Sequence, residues 1–212
     1  PDDNFEAYLE THDASGNVVS IGDANSMGDG IANNDSVATA NINGVTSLDV
    51  ISQNIADLTG IEDFSALNTI NCSGNQLTSL DISYNTFINH LNCNSNQISS
   101  LDVSNNTQLV ILACGSNNLS SIDISNNNLL TTLDCWNNSI SVLNIDNNPL
   151  LDALNCNDNS ISNLDFLNNP NMINISCINN NISNIDLSNL SALNILWLKG
   201  NSLTNLNLSQ NT

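Results

Sequence analysis

The chain holds six cysteines, Cys72, Cys93, Cys114, Cys135, Cys156 and Cys177, and each interval between them is 21 residues. Asparagine keeps the same beat at Asn75, Asn96, Asn117, Asn138, Asn159, Asn180 and Asn201. A fixed period of this length marks a coil of stacked units, each too small to bury its apolar side alone. Each unit reads L-x-x-L-x-C-x-x-N-x-[LI]-[ST]-x-[LI]-[DN]-[LIVF]-x-x-N-x-x, and units begin at Leu67, Ile88, Leu109, Leu130, Leu151, Met172 and Leu193. The last unit carries Leu198 at the cysteine position, and an earlier unit spanning 45–66, one residue longer, carries Val50 there. A position that accepts Cys, Val and Leu is apolar core.

This pattern resembles the leucine-rich-repeat family, whose L-x-x-L-x-L-x-x-N-x-L core matches "LNTINCSGNQL" and its six successors. The opening "PDDNFEAYLE" is also similar to secreted leucine-rich-repeat proteins of marine Bacteroidetes, with the listerial internalins as more distant relatives. The expected fold is an α/β-type solenoid: a right-handed coil with a parallel β-sheet on its concave face and an extended or 3₁₀ convex side. The strand should cover roughly the third to seventh positions of each unit, His90 to Asn94 for example. Alternation then turns Leu91 and Cys93 inward and His90, Asn92 and Asn94 outward.

In such a coil the cysteines form a row of parallel side chains about 4.8 Å apart, wider than the Cβ separation of a disulfide. A row also fails to converge as zinc ligands must. The thiols therefore read as buried and inert. The asparagine row from Asn75 to Asn201 reads as a set of hydrogen-bonding posts, each serving its own turn and the next. The "SNN" and "DNNP" clusters read as turn chemistry. Asp81, Asp102, Asp123, Asn144, Asp165, Asp186 and Asn207 form a further column, in which Asp and Asn interchange. That interchange favours a hydrogen bond shared with hydroxyls such as Ser99 or Ser120 over a row of cations.

Residues 1–44 fall outside the repeat, and residues 45–212 comprise about eight units. Phe5, Tyr8 and Leu9 lie at i, i+3 and i+4, the spacing of a short amphipathic helix. A solenoid end needs a cover, and this segment is placed to act as the N-terminal cap. Within it, "GDANSMGDGIANND" gathers Asp23, Asn25, Asp29 and Asp35 around Gly28 and Gly30. Hard oxygen donors on a tight loop suit Ca²⁺, although Ser26 and Met27 interrupt the D-x-N-x-D-G spacing. The chain opens at Pro1 without Met, which suggests a processed secreted protein or a trimmed one. No capping pattern follows the last repeat, so the expectation is either a longer native chain or an end covered by another subunit.

The charge is strongly one-sided: Asp and Glu number 21, Lys199 is the single Lys or Arg, and the formal net charge is −20. Such a surface repels phosphate backbones and anionic lipid heads, which argues against nucleic-acid binding. No apolar run reaches the length of a membrane span. The inventory for catalysis is thin, because His12 and His90 are the only histidines and the thiols face inward. The expectation is a non-catalytic module, secreted or on a bacterial cell surface, that recognises a protein or glycan through the outward strand positions. His90, Asn92, Ile111, Asp134, Trp136, Asn155, Asn157, Trp197 and Lys199 are the candidate ligand residues. The buried-side positions are aliphatic throughout, so the outward Trp136 and Trp197, about 15 Å apart along the sheet, are the informative deviations. Two other readings stand beside this one. A self-associating structural protein would join through its C-terminal end. An ice-binding protein would use the hydroxyl row Thr78, Ser99, Ser120, Ser141, Ser162, Ser183 and Thr204.

Overall fold

The computed structural model describes residues 2–32, 34 and 36–211. Two short helices, α1 (Asp3–Thr11) and α2 (Thr39–Ile42), precede eight strands: β1 Ser47–Asp49, β2 Thr69–Asn71, β3 His90–Asn92, β4 Ile111–Ala113, β5 Thr132–Asp134, β6 Ala153–Asn155, β7 Asn174–Ser176 and β8 Ile195–Trp197. All eight pair in chain order in one parallel sheet. The register is constant: Leu91 faces Leu112, which faces Leu133, so the 21-residue beat becomes columns of identical positions.

The strands are shorter than the five residues expected. The backbone ladder nevertheless runs on past them, with Cys93 N–H donating to the Ala113 carbonyl at 2.8 Å and Ser95 N–H to that of Gly115 at 2.9 Å. The eighth position ends the extended run by turning left-handed, at φ 56° for Ser95, 53° for Ser116, 50° for Asn137, 55° for Asp158 and 54° for Asn179. Gly74 and Gly200 hold the same place in their units. Gly, Asn, Asp and Ser in this column fit a conformation that larger and β-branched side chains resist. The opposite side of the coil is extended chain with turns, and its one 3₁₀ segment among the described residues is Ile61–Asp63.

One continuous apolar core runs from Phe5 to Leu190. All six cysteines lie in it, free and buried. Burial pushes the Cys72 and Cys114 thiols up to about 12, which suppresses the thiolate that redox and metal chemistry require. Cys156 and Cys177 approach with their sulfurs 3.2 Å apart.

The asparagine posts are present but serve the preceding turn rather than the next. Asn117 Nδ2 donates to the carbonyls of Cys114 in its own unit and Cys93 in the unit before, and its Oδ1 accepts Ile98 N–H at 3.0 Å, again in the unit before. Part of what reads as turn chemistry is a second buried ladder, formed by Asn85, Asn106, Asn127, Asn148 and Asn169. Asn127 Nδ2 donates to the Val103 and Asn106 carbonyls at 3.0 and 2.9 Å. In Asn105–Asn106, Asn126–Asn127, Asn147–Asn148 and Asn168–Asn169 the first asparagine is exposed and the second is fully buried. Leu190 breaks this ladder, and its neighbour Asn189 donates to the Phe166 carbonyl at 2.8 Å instead.

Helix α1 closes the N-terminal end. Asp2 caps it by accepting Asn4 N–H at 2.8 Å, and its other oxygen accepts Ala56 N–H at 2.9 Å, which pins the helix to the first unit. Phe5, Tyr8 and Leu9 are buried as the spacing predicts, and Phe5 packs on Phe64 with ring centroids 6.3 Å apart.

Candidate functional site

Constant register places three outward columns on the sheet face, at the third, fifth and seventh positions of each unit. The fifth column is largely engaged with the protein's own backbone. Asn71, Asn92 and Asn155 each accept the N–H two residues on, at 3.2, 3.1 and 3.3 Å. Part of the seventh column does the same for the following unit: Asn94 Oδ1 accepts Gly115 N–H at 2.5 Å, and Asn157 Oδ1 accepts Ile178 N–H at 2.6 Å and the Ser176 hydroxyl at 2.7 Å. Asn92, Asn155 and Asn157 thus face outward as expected, yet their oxygens are tied to the scaffold. Short Asx side chains beside a strand end readily make such local bonds, a competition that alternation alone does not reveal.

Asp134 belongs to the fifth column, and its Oδ1 is buried with no hydrogen-bond partner among the described residues. Burial raises its pKa, opposed by the backbone N–H of Trp136 and the side chain of Asn155. A carboxyl raised in the folded state is held more tightly protonated there than in the unfolded chain. Its contribution to stability is therefore present at low pH and is lost as pH rises through the folded pKa. Asp134→Asn, which matches Asn92 and Asn155 in the same column, is expected to raise the melting midpoint at pH 7. The gain should shrink as pH falls below the carboxylate range, which paired melts at pH 7 and pH 3 will read.

The remaining candidates present free surface. His90 is exposed and its ring bonds the neighbouring Asn89 side chain, while Ile111 is half-buried in the third column. Trp197 is 58% exposed on β8, and Lys199 is exposed two residues on. Trp136 is half-buried because its indole folds back over Gly115, where a Cβ would overlap the ring. Gly115 is not among the left-handed glycines, so the ring and not the backbone demands its missing side chain.

No protein-family model matches the sequence. The coil superimposes on the functional domain of InlJ from Listeria monocytogenes, described as including a cysteine ladder, with TM-score 0.78 and 31% identity over 100% of this chain and 48% of that one. This is a leucine-rich-repeat protein similar to the listerial internalins. Internalin C2 from the same species matches with TM-score 0.84 at 18% identity, over 100% of this chain and 90% of that one. Among curated proteins, Internalin J of Listeria monocytogenes is 40% identical over 52 residues, 24% of this chain and 6% of that protein. The leucine-rich-repeat chain thus spans less than half the length of the internalin J proteins it matches.

Other candidates in this internalin-like coil lie off the sheet. Asp23 turns its carboxylate onto Asn25 of its own turn, and Asp29 bonds Ile31 N–H and Asn34 Nδ2. Asp35 lies outside the described residues. Among the described residues no group of three acidic, His or Cys side chains converges as a metal site. The loop is held by two buried carboxylates of α1. Glu10 accepts Asp29 N–H at 2.6 Å and Gly30 N–H at 3.0 Å, and Glu6 accepts Asn34 N–H at 2.9 Å. The sequence reading missed both glutamates, whose only signal was their i, i+4 spacing beside the buried Phe5 and Leu9.

The Asp/Asn column on the back does share one hydrogen-bonding task, with the residue two places on rather than with Ser99 or Ser120. Asp81, Asp102, Asn144 and Asp186 each accept the backbone N–H two residues on, at 3.0, 2.9, 2.8 and 2.9 Å. The Ser83 and Ser104 hydroxyls, followed by these N–H groups, hold the Asp81 and Asp102 carboxyls below their usual range, and for Asp186 the Ser188 N–H leads and its hydroxyl follows. The hydroxyl row from Thr78 to Thr204 is exposed throughout, outside the strands.

Proposed function

We propose that the protein is a non-catalytic extracellular recognition module that binds a protein or glycan across its sheet face. The observation that carries this reading is the division of labour on that face. The asparagines spend their oxygens on the backbone and stiffen the surface, while His90, Ile111, Trp136, Trp197 and Lys199 stand out from it with no structural duty of that kind. A rigid parallel sheet displaying aromatic and aliphatic side chains is preorganised for association, because little freedom is lost when a ligand docks. Similarity to internalins supports an interaction role and placement outside the cell, and no helix among the described residues is long and apolar enough to cross a membrane.

The test uses an array of purified extracellular proteins and glycans, followed by variants measured against whichever probe binds. Trp197→Ala combined with Ile111→Asp is expected to weaken binding about tenfold or more, the size of a lost interface anchor. Tyr84→Ala on the opposite side should leave binding unchanged. A ligand that responds to the Tyr84 change and ignores the sheet-face pair would move recognition off the sheet.

A further inference from the structure

The Trp136 indole is seated rather than merely displayed. It lies across Gly115 of the preceding unit, the one seventh-column position without a side chain, and the residue remains partly exposed. In the same column Asn94 stands one rung before Gly115 and Asn157 one rung after Trp136, so the two amides bracket the ring over about 14 Å. Both amides are oriented by their oxygens: Asn94 Oδ1 is held by Gly115 N–H and Asn157 Oδ1 by Ile178 N–H and the Ser176 hydroxyl. With each oxygen fixed as acceptor, the Nδ2 group must be the outward end. Neither Nδ2 donates to any group among the described residues, and neither is buried.

We infer that Trp136, Asn94 and Asn157 form a subsite for a neutral oligosaccharide, with Gly115 as the residue that positions the ring. This rests on the recognition reading above and names its ligand class. The C–H face of a pyranose carries the partial positive charge that the negative face of an indole attracts. The flanking amides offer fixed donors to the hydroxyl and ring oxygens of sugar units on either side, and fixed donors cost little to engage. The charge balance selects among glycans: the single Lys or Arg, Lys199, lies three rungs beyond Trp136 in the same column, and the chain carries net charge −20. Uronic or sialic acids would meet that field with nothing beside the ring to offset it. A protein anchor would instead favour an apolar surround that excludes water, whereas this indole shares its column with the amides of Asn94 and Asn157.

The experiment follows the two indole Nε1–H signals in ¹⁵N spectra, assigned with Trp136→Phe and Trp197→Phe, while neutral gluco-, manno-, galacto- and chito-hexaoses are titrated against an oligogalacturonate control. At least one neutral hexaose is expected to shift the Trp136 signal saturably, and the anionic oligomer is not. Trp136→Ala should weaken that binding about tenfold or more, with Trp136→Phe recovering part of it. Gly115→Ala should weaken it comparably while the circular-dichroism melt stays near wild type, because the added methyl displaces the ring alone. No shift of Trp136 with any neutral hexaose would overturn the inference, as would affinity unchanged by Trp136→Ala. If a purified protein then still bound through the sheet face, the recognition reading would survive without it. If nothing bound there, both would fall.

Discussion

Asn117→Leu is expected to lower stability by about 2–4 kcal/mol, a drop in melting midpoint on the order of 10 °C for a chain of this size. The side chain is 9% exposed and makes bonds in two units, to the Cys93, Cys114 and Gly115 carbonyls and to Ile98 N–H. The carbonyls keep donors after the change, since Asn96 also reaches Cys93 and Asn138 also reaches Cys114. Ile98 N–H has no such reserve and is left buried without an acceptor, which alone costs about 1–3 kcal/mol. Asn127→Leu in the same unit makes the control. Its two acceptors, the Val103 and Asn106 carbonyls, also receive the Asn106 and Leu109 N–H groups, and the change removes an Oδ1 that has no partner. Its cost should therefore be about 1 kcal/mol. The chain already carries a leucine at the equivalent Leu190. Denaturant melts of the two variants will compare them, and equal losses would contradict the distinct roles assigned to the two ladders.

The contrast between these ladders shows what the sequence made legible. The inward row of Cys93 and its equivalents was readable because one position accepts Cys, Val and Leu at a strict period, and a parallel coil has only one way to bury it. Asn96 and its equivalents were readable as posts, but whether a post serves the turn before or after depends on the stagger of the coil, which composition does not encode. Asn127 was misread because the residue type alone signals a turn, and only the packed interior shows which asparagine of an "NN" pair is sealed inside. On the sheet face, period-2 alternation gave the right outward set. It could not separate Asn92, bound to its own backbone, from Asn94, whose oxygen is held by Gly115 N–H of the next unit. The resting place of Trp136 depends on Gly115, a residue 21 positions away whose significance exists only once the two units stack.

A second large effect is expected at the other end of the chain, where Glu10→Gln should cost about 2–4 kcal/mol in cap stability, given that hydrogen bonds to charged acceptors contribute about 1.5–3 kcal/mol each. Glu10 is fully buried, and its carboxylate gathers the N–H groups of Asp29 and Gly30, the latter shared between both oxygens. Glutamine retains one acceptor oxygen and turns an amide NH₂ toward donors that need none. Gly28→Ala attacks the same contact from the opposite direction, because a Cβ there would overlap the Glu10 carboxylate. In a stacked coil each unit feels only its neighbours, so the loss should remain local. Hydrogen exchange at the Asp29 and Gly30 amides is expected to accelerate strongly in Glu10→Gln while exchange at Cys135 and Cys156 hardly changes. The Asn117 variant should show the reverse distribution, with the middle of the sheet opening and the cap retained. Uniform acceleration along the whole chain in Glu10→Gln would mean that the cap and coil unfold as one unit. The two buried glutamates would then govern the global stability of the solenoid and not only the closure of its first end.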